Sequence, residues 1–187
     1  AKMESLRPWA EKAFARMGLP ILGMIPYHGE LRRPTLGQVS LELGGQFLSG
    51  ENMKRRKVRS VAVGAMTAAR LKDQLQSGAL LITPGDREDL LLATLETQGK
   101  GGTEAKPAGI ILTDGLKPQV GLIKMLQERG LPTVAVEGDS YSVAAKIERM
   151  TVKTDPGDKE KILMIQEVVA KHLDLGALIR GSKPVPA

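Results

Sequence analysis

The stretch "LLITPGDREDLLLATLE", residues 80–96, decides how the rest of the chain is read. An apolar run stops at Thr83, Pro84-Gly85 breaks it, and Asp86-Arg87 opens a segment whose leucines recur with helical period. A short, nearly continuous apolar strand followed by an amphipathic helix is the mark of a parallel sheet covered on both faces. The same grammar recurs in "VRSVAVGAM" with "TAARLKDQLQSG", in "AGIILT" with "DGLKPQVGLIKMLQERG", and in "PTVAVEG" with "DSYSVAAKIERM". The four units start near residues 58, 79, 108 and 132, and no side-chain motif repeats between them, so the spacing is supersecondary and not that of a solenoid. The predicted fold is α/β: an open, mostly parallel sheet with helices on both faces, a three-layer αβα arrangement with right-handed crossovers.

The flanks read differently. Residues 3–18 predict a helix with Leu6, Ala10, Ala13, Phe14 and Met17 on one stripe and Gly18 as its stop. "LPILGMIP" predicts a buried strand, "HGELRRP" a loop, "TLGQVSLELGG" a short helix capped by Thr35, and "QFLSG" an edge strand. "DPGDKEKILMIQEVVAKHLDLGALI" predicts a last helix with Ile162, Ile165, Val168, Val169 and Leu173 inward. Residues 97–107, "TQGKGGTEAKP", predict a mobile Gly-rich loop, and "RGSKPVPA" a loose tail.

Composition bounds the class. With 187 residues, 42% of them hydrophobic, the chain can bury a core. No apolar run reaches the roughly 20 residues of a membrane helix, and the charged first stretch is no secretory signal. The absence of cysteine excludes disulfides and thiolate metal sites and fits a reducing cytoplasm. The net charge of +6 is concentrated in "KRRKVR", residues 54–59, yet five scattered aromatics make no stacking platform, so the run reads as a solvated loop and nucleic acid is not favoured.

Strand ends and helix starts of an open parallel sheet share one edge, where ligands dock. That edge is expected to carry Gly64, Met66 and Thr67 from the first unit and Thr83, Gly85, Asp86 and Arg87 from the second. The third and fourth contribute Thr113, Asp114 and Gly115, then Gly138, Asp139 and Ser140. Asp86, with Asp89 three residues on, fits a capping-box start, and Asp139 fits an N-cap. Such caps occupy the N–H donors that an anion would use, and Arg87 is the cation left to favour one. A modest polar ligand, or an anion held by Arg87, stays open.

Catalytic patterns are missing. There is no G-x-x-x-x-G-K-[ST] loop, no G-x-G-x-x-G after a strand, no G-x-S-x-G, and no paired histidines: His28 and His172 stand apart. No catalytic residue and no metal site are assigned.

In order, "LGQVSLELGGQFLSGENMKRRKVRSVAVGAM", "LLITPGDREDLLLATLE", "AGIILTDGLKP", "LPTVAVEGDSYSVAAKIERM" and "DKEKILMIQEVVAKHLD" resemble the DRTGG domain of the N-terminal regulatory region of long phosphotransacetylases. The signature is altered to Gly85-Asp86-Arg87-Glu88-Asp89, a form similar to the phosphotransacetylase branch, and lacks the paired glycines of the name. "GLPILGMIPYHGEL" resembles the last strand of a dethiobiotin-synthetase-like P-loop domain. The resemblance implies residues 1–34 as a remnant of, or linker from, such an upstream domain, 35–176 as the DRTGG domain, and 177–187 as a flexible tail. It also implies a non-catalytic regulatory and oligomerisation module, a dimer, with a small metabolite or nucleotide effector at the strand-end edge. No cofactor is expected in this chain, ATP and Mg belonging to the upstream domain. The alternative is the C-terminal half of an ATP-dependent amidating or ring-forming enzyme, similar to dethiobiotin or cobyrinic-acid synthases.

Overall fold

A computed structural model describes residues 2–97 and 106–181. Residues 98–105 of the expected Gly-rich loop and 182–187 of the expected tail lie outside the described residues. The chain packs as two units, Arg33–Val152 and a second formed by Ala1–Arg32 with Lys153–Ala187.

The Arg33–Val152 unit holds the sheet. Helix α2 (Leu36–Leu43) starts at Thr35 with a complete capping box: Thr35 Oγ1 accepts from the Gln38 amide at 3.2 Å, and Gln38 Oε1 accepts from the Thr35 amide at 2.9 Å. It stops at Gly44, which takes the left-handed conformation. Strand β1 (Gln46–Ser49) follows, then β2 (Ser60–Val63), α3 (Ala68–Gln74), β3 (Ala79–Pro84), α4 (Glu88–Thr97), β4 (Gly109–Thr113), α5 (Val120–Glu128), β5 (Thr133–Ala135) and α6 (Ser140–Arg149).

The strand order is β1-β5-β4-β3-β2. Strands β2 to β5 are mutually parallel and β1 pairs with β5 antiparallel. Because consecutive parallel strands are neighbours, crossovers of one hand put every connecting helix on the same face. That is what is seen: Leu71, Leu90, Leu91, Leu95, Leu122 and Leu126 from α3, α4 and α5 pack with Leu81, Ile110 and Leu112. The helices outside the crossovers, α2 and α6, cover the other face, where Leu36, Val39, Val143 and Ile147 meet Leu80, Ile82, Ile111 and Val134. Side chains alternate along β3 and β4 between the two cores, which is why "LLIT" and "IILT" are apolar throughout and fully buried. The parallel sheet with helices on both faces is thus present.

The basic run is not a plain solvated loop. The Lys54 and Arg56 carbonyls accept from the Gly37 and Leu36 amides at the start of α2, and Arg56 Nη1 donates to the Pro107 carbonyl at 3.2 Å. Burial pushes the Arg56 guanidinium below its ordinary pKa. Its cations are carried on a strap that fastens α2.

The second unit contains α1 (Lys2–Ala15), α7 (Lys159–His172) and α8 (Leu175–Gly181). Residues 19–26 are not the expected buried strand: Leu19 and Ile25 are exposed, and pairing is limited to one bridge between Gly23 and Leu173. Residues 175–181 form a helix separate from α7, where the sequence pattern predicts one helix through Ile179 and the resemblance implies a tail from 177, the Asp174 carboxylate accepting from the Ala177 amide at 2.8 Å. The α1 stripe is open to solvent at Leu6, Phe14 and Met17, with Trp9 more exposed still.

Candidate functional site

Parallel pairing sets the strand ends level. Val63 lies opposite Ile82, and Pro84 opposite Thr113, so the chain leaves β2, β3 and β4 along one edge. Three close approaches knit the departing turns. A Cβ on Gly85 would collide with the Leu116 carbonyl, so only glycine lets the β3 and β4 turns meet. A Cβ on Gly64, a buried residue, would fall 2.9 Å from Thr83 Oγ1 and 2.7 Å from Leu90. The Asp114 amide donates to the Gly138 carbonyl at 2.9 Å, joining the β4 turn to the start of α6.

These turns enclose an open cavity of about 560 Å³. Val63, Ile82, Pro84 and Leu116 give it an apolar floor, and Asp86, Arg87, Asp114 and Ser140 are its polar lining. Positions 83–87, 113–115 and 138–140 therefore do meet at a common rim.

Arg87 and Asp86 take roles other than those expected, and Asp139 the one expected. Arg87 is a clamp: Nε and Nη2 grip the two Asp89 oxygens at 2.9 Å each, Nη2 also donates to the Met66 carbonyl at 3.1 Å, and Nη1 to the Gly64 carbonyl at 3.3 Å. The pair shifts both partners, Asp89 below the ordinary carboxylate range and Arg87 above its usual value, chiefly through their mutual hydrogen bond. A guanidinium so placed ties the end of β2 to the start of α4 and is compensated by its own neighbour.

Asp86 is not a cap. Helix α4 starts at Glu88, the Glu88 amide donates to the Asp86 carbonyl, and the exposed Asp86 carboxylate makes no hydrogen bond to any described residue. Its partner in the expected capping box, Asp89, is engaged by Arg87. Asp139 is a cap, accepting from the Tyr141 and Ser142 amides at 3.0 and 2.9 Å and from the Ser142 hydroxyl at 2.6 Å. The Ser142 hydroxyl and then its amide hold the Asp139 carboxyl below the usual range.

A third hydrogen-bond chain runs through the β4 end. Thr113 Oγ1 lies 2.8 Å from Asp114 Oδ2 and 2.8 Å from Ser140 Oγ. Asp114 takes a left-handed backbone (φ 65°), as does Gly115 (φ 64°), which turns the chain sharply off β4.

The DRTGG domain family matches residues 38–150. The chain belongs to the DRTGG domain family. It is 34% identical over 157 residues to a phosphate acetyltransferase of Pseudomonas putida, covering 82% of this chain and 22% of the relative. To the phosphate acetyltransferase of Nitrosomonas europaea it is 28% identical over 170 residues, 89% of this chain and 24% of that one. The chain thus spans under a quarter of the length of these relatives. Among solved structures it is similar to the CBS and DRTGG domains of the regulatory region of Clostridium perfringens pyrophosphatase, complexed with the activator diadenosine tetraphosphate. There the TM-score is 0.54 at 19% identity, over 80% of this chain and 74% of that one. That likeness bears out the fold.

Within this DRTGG domain the ten edge residues expected from the second, third and fourth units sort by position. Asp86, Arg87, Asp114 and Ser140 line the cavity. Gly85 and Gly115 shape its wall, and Thr113 is fully buried behind it, bonded to two lining residues. Gly138 and Asp139 flank it without lining it. Thr83 is wholly buried on the α4 side, and its hydroxyl lacks a hydrogen-bond partner among the described residues. Sequence reasoning missed Val63, Ile82, Pro84 and Leu116, which read as core or as the first turn of α5. That helix begins instead at Val120, because two left-handed residues and Pro118 delay it, and the Gln119 amide before it donates to Glu88 Oε1 at 2.8 Å.

Proposed function

We propose that this DRTGG domain is a regulatory module without catalysis or a cofactor of its own, which takes a small-molecule effector in the strand-end cavity. The observation that carries the reading is the rim itself. Four successive chain turns converge on one open cavity with an apolar floor, a free carboxylate at Asp86 and a half-used one at Asp114. Pockets of this size at the carboxyl ends of parallel strands are the ordinary ligand sites of open α/β sheets. The matches to phosphate acetyltransferases, and to a regulatory region crystallised with a nucleotide activator, support a regulatory setting. They do not favour the half-enzyme alternative. In this reading residues 1–34 lead from an upstream P-loop domain, which carries any ATP and Mg chemistry. The module works in the cytoplasm, with no helix among the described residues long and apolar enough to cross a membrane.

Self-association as a dimer belongs to the same proposal. Strand β2 is a sheet edge whose Val61 and Val63 are 39% and 40% exposed, with no charge in "SVAV" to discourage pairing with a second copy.

The test is a thermal-shift screen of nucleotides, nicotinamide cofactors and small acids against the full chain and against Ala65→Trp, which fills the cavity from an exposed lining position. A saturable shift that Ala65→Trp abolishes is expected. A shift unchanged by that variant places the effector elsewhere and ends the reading. Light scattering at twice the chain mass is the expected result for the dimer, and a strict monomer ends that half.

A further inference from the structure

Resting on the rim as an effector site, we infer the class of its ligand: a molecule with an apolar face that presents N–H or O–H donors and carries no negative charge. Apart from Arg87, the polar side chains of the lining, Asp86, Asp114 and Ser140, face the cavity as acceptors. An ionised carboxylate only accepts, so Thr113 Oγ1 must donate its single proton to Asp114 Oδ2. With that proton committed, the 2.8 Å contact to Ser140 requires Ser140 Oγ to be the donor. Ser140 therefore turns its proton inward and offers the cavity lone pairs. Asp114 keeps Oδ1, and Asp86 keeps both oxygens.

Most of the donors near the rim are already bonded. Four of the five Arg87 N–H groups are matched by Asp89, Gly64 and Met66. The Tyr141 and Ser142 amides of α6 belong to Asp139, and the Asp114, Gly115 and Leu116 amides point to the Gly138, Val136 and Thr113 carbonyls. Lys117, next along the chain, is exposed but does not line the cavity. On a chain of net charge +6, the lining holds two carboxylates and one guanidinium that is neutralised by its own neighbour. A phosphate here meets the Asp86 and Asp114 carboxylates and few unbonded donors. An amine or a sugar diol over the Val63, Ile82, Pro84 and Leu116 floor meets acceptors on its polar side and apolar contact beneath.

The experiment uses the full chain and three ligands that differ in the 5′ substituent: 5′-amino-5′-deoxyadenosine, adenosine and adenosine 5′-monophosphate. Isothermal titration should rank them in that order, with on the order of tenfold between successive members at low salt. Asp86→Asn and Asp114→Asn should compress the spread to about threefold or less, since an amide oxygen still accepts from Thr113 but carries no charge. Monophosphate binding as tightly as adenosine, with the Ala65→Trp control placing it in this cavity, overturns the ligand class while leaving the effector site standing. Absence of binding by all three, and by every compound of the wider screen, removes the site and the class together.

Discussion

Replacing Arg87 by methionine separates a structural clamp from an anion handle. Methionine keeps most of the aliphatic stem and removes the guanidinium, so packing is largely held constant. The ion pair lost is open to water, with Arg87 36% and Asp89 49% exposed, and contributes about 0.5 kcal/mol. The two backbone carbonyls lost as partners matter more. Gly64 is buried and Met66 half-buried, and each hydrogen bond contributes about 1 kcal/mol, less for the longer one at 3.3 Å. The sum is about 2 kcal/mol, which for a chain of this size is roughly 6 °C in Tm. Asp89→Asn touches only the ion pair and should cost about 0.5 kcal/mol.

Urea unfolding followed by circular dichroism measures both. The chain's single tryptophan, Trp9, lies in the Ala1–Arg32 segment and not in the sheet unit, so its fluorescence is an internal control that should change little. Loss of under about 0.5 kcal/mol for Arg87→Met would show that the carbonyl contacts contribute nothing and refute the clamp. So would phosphate that stabilises the wild type and not the variant, because that would make the guanidinium available to an anion.

Three further outcomes follow from particular contacts. Gly85→Ala drives a methyl into the Leu116 carbonyl and should cost about 3 kcal/mol or prevent folding, whereas Gly121→Ala, on α5 with open space around it, should stabilise by about 0.5 kcal/mol. Equal denaturation midpoints for the two would discredit the close approach. Thr83→Val replaces a buried hydroxyl without a partner by a methyl of the same shape and should raise stability by about 1 kcal/mol; a loss in the same assay would mean that the hydroxyl is satisfied. Asp89 and Asp139 both have depressed pKa values in the folded chain, so the stability they contribute is complete above the ordinary aspartate value of about 4 and is lost as pH falls through their lower folded values. An acid titration of Tm should therefore be steeper below about pH 4 in the wild type than in an Asp89→Asn, Asp139→Asn double variant.

Much of the frame was legible because burial on both faces leaves one-dimensional traces. "ALLIT" and "GIILT" could only be central strands, and "LGQVSLEL" after Thr35 carried its own start signal. The misreadings arise where one local pattern serves two structures. "LPILGMIP" is as apolar as a strand but has only one bridge to pair with, so it runs extended and half-exposed. Asp114-Gly115 looked like a helix start, but the left-handed turn it makes needs an Asp or Gly just as an N-cap does. Asp86 looked like a cap because Asp precedes a helix there, yet the helix opens two residues later. Val63 and Leu116 were invisible as floor because an apolar residue at a strand end reads the same whether a helix or a ligand covers it.

The chemical sign of the rim turns on residues that composition counts as equal. Sequence places Asp86, Arg87 and Asp89 within four positions, and Arg87 can cancel either aspartate. If Arg87 paired with Asp86, the rim would lose its free carboxylate. The structure takes the other pairing because Arg87 is also required across the sheet, by the Gly64 and Met66 carbonyls where β2 ends beside it. From that position its Nε and Nη2 grip Asp89 in a fork of two 2.9 Å bonds. The carbonyls left open by an edge strand thus choose which aspartate is neutralised, and the aspartate not chosen is the one that faces the cavity. A rim that Arg87 left open to an anion is turned into one whose unpaired side chains are mostly acceptors by a need of the fold, before any ligand is present.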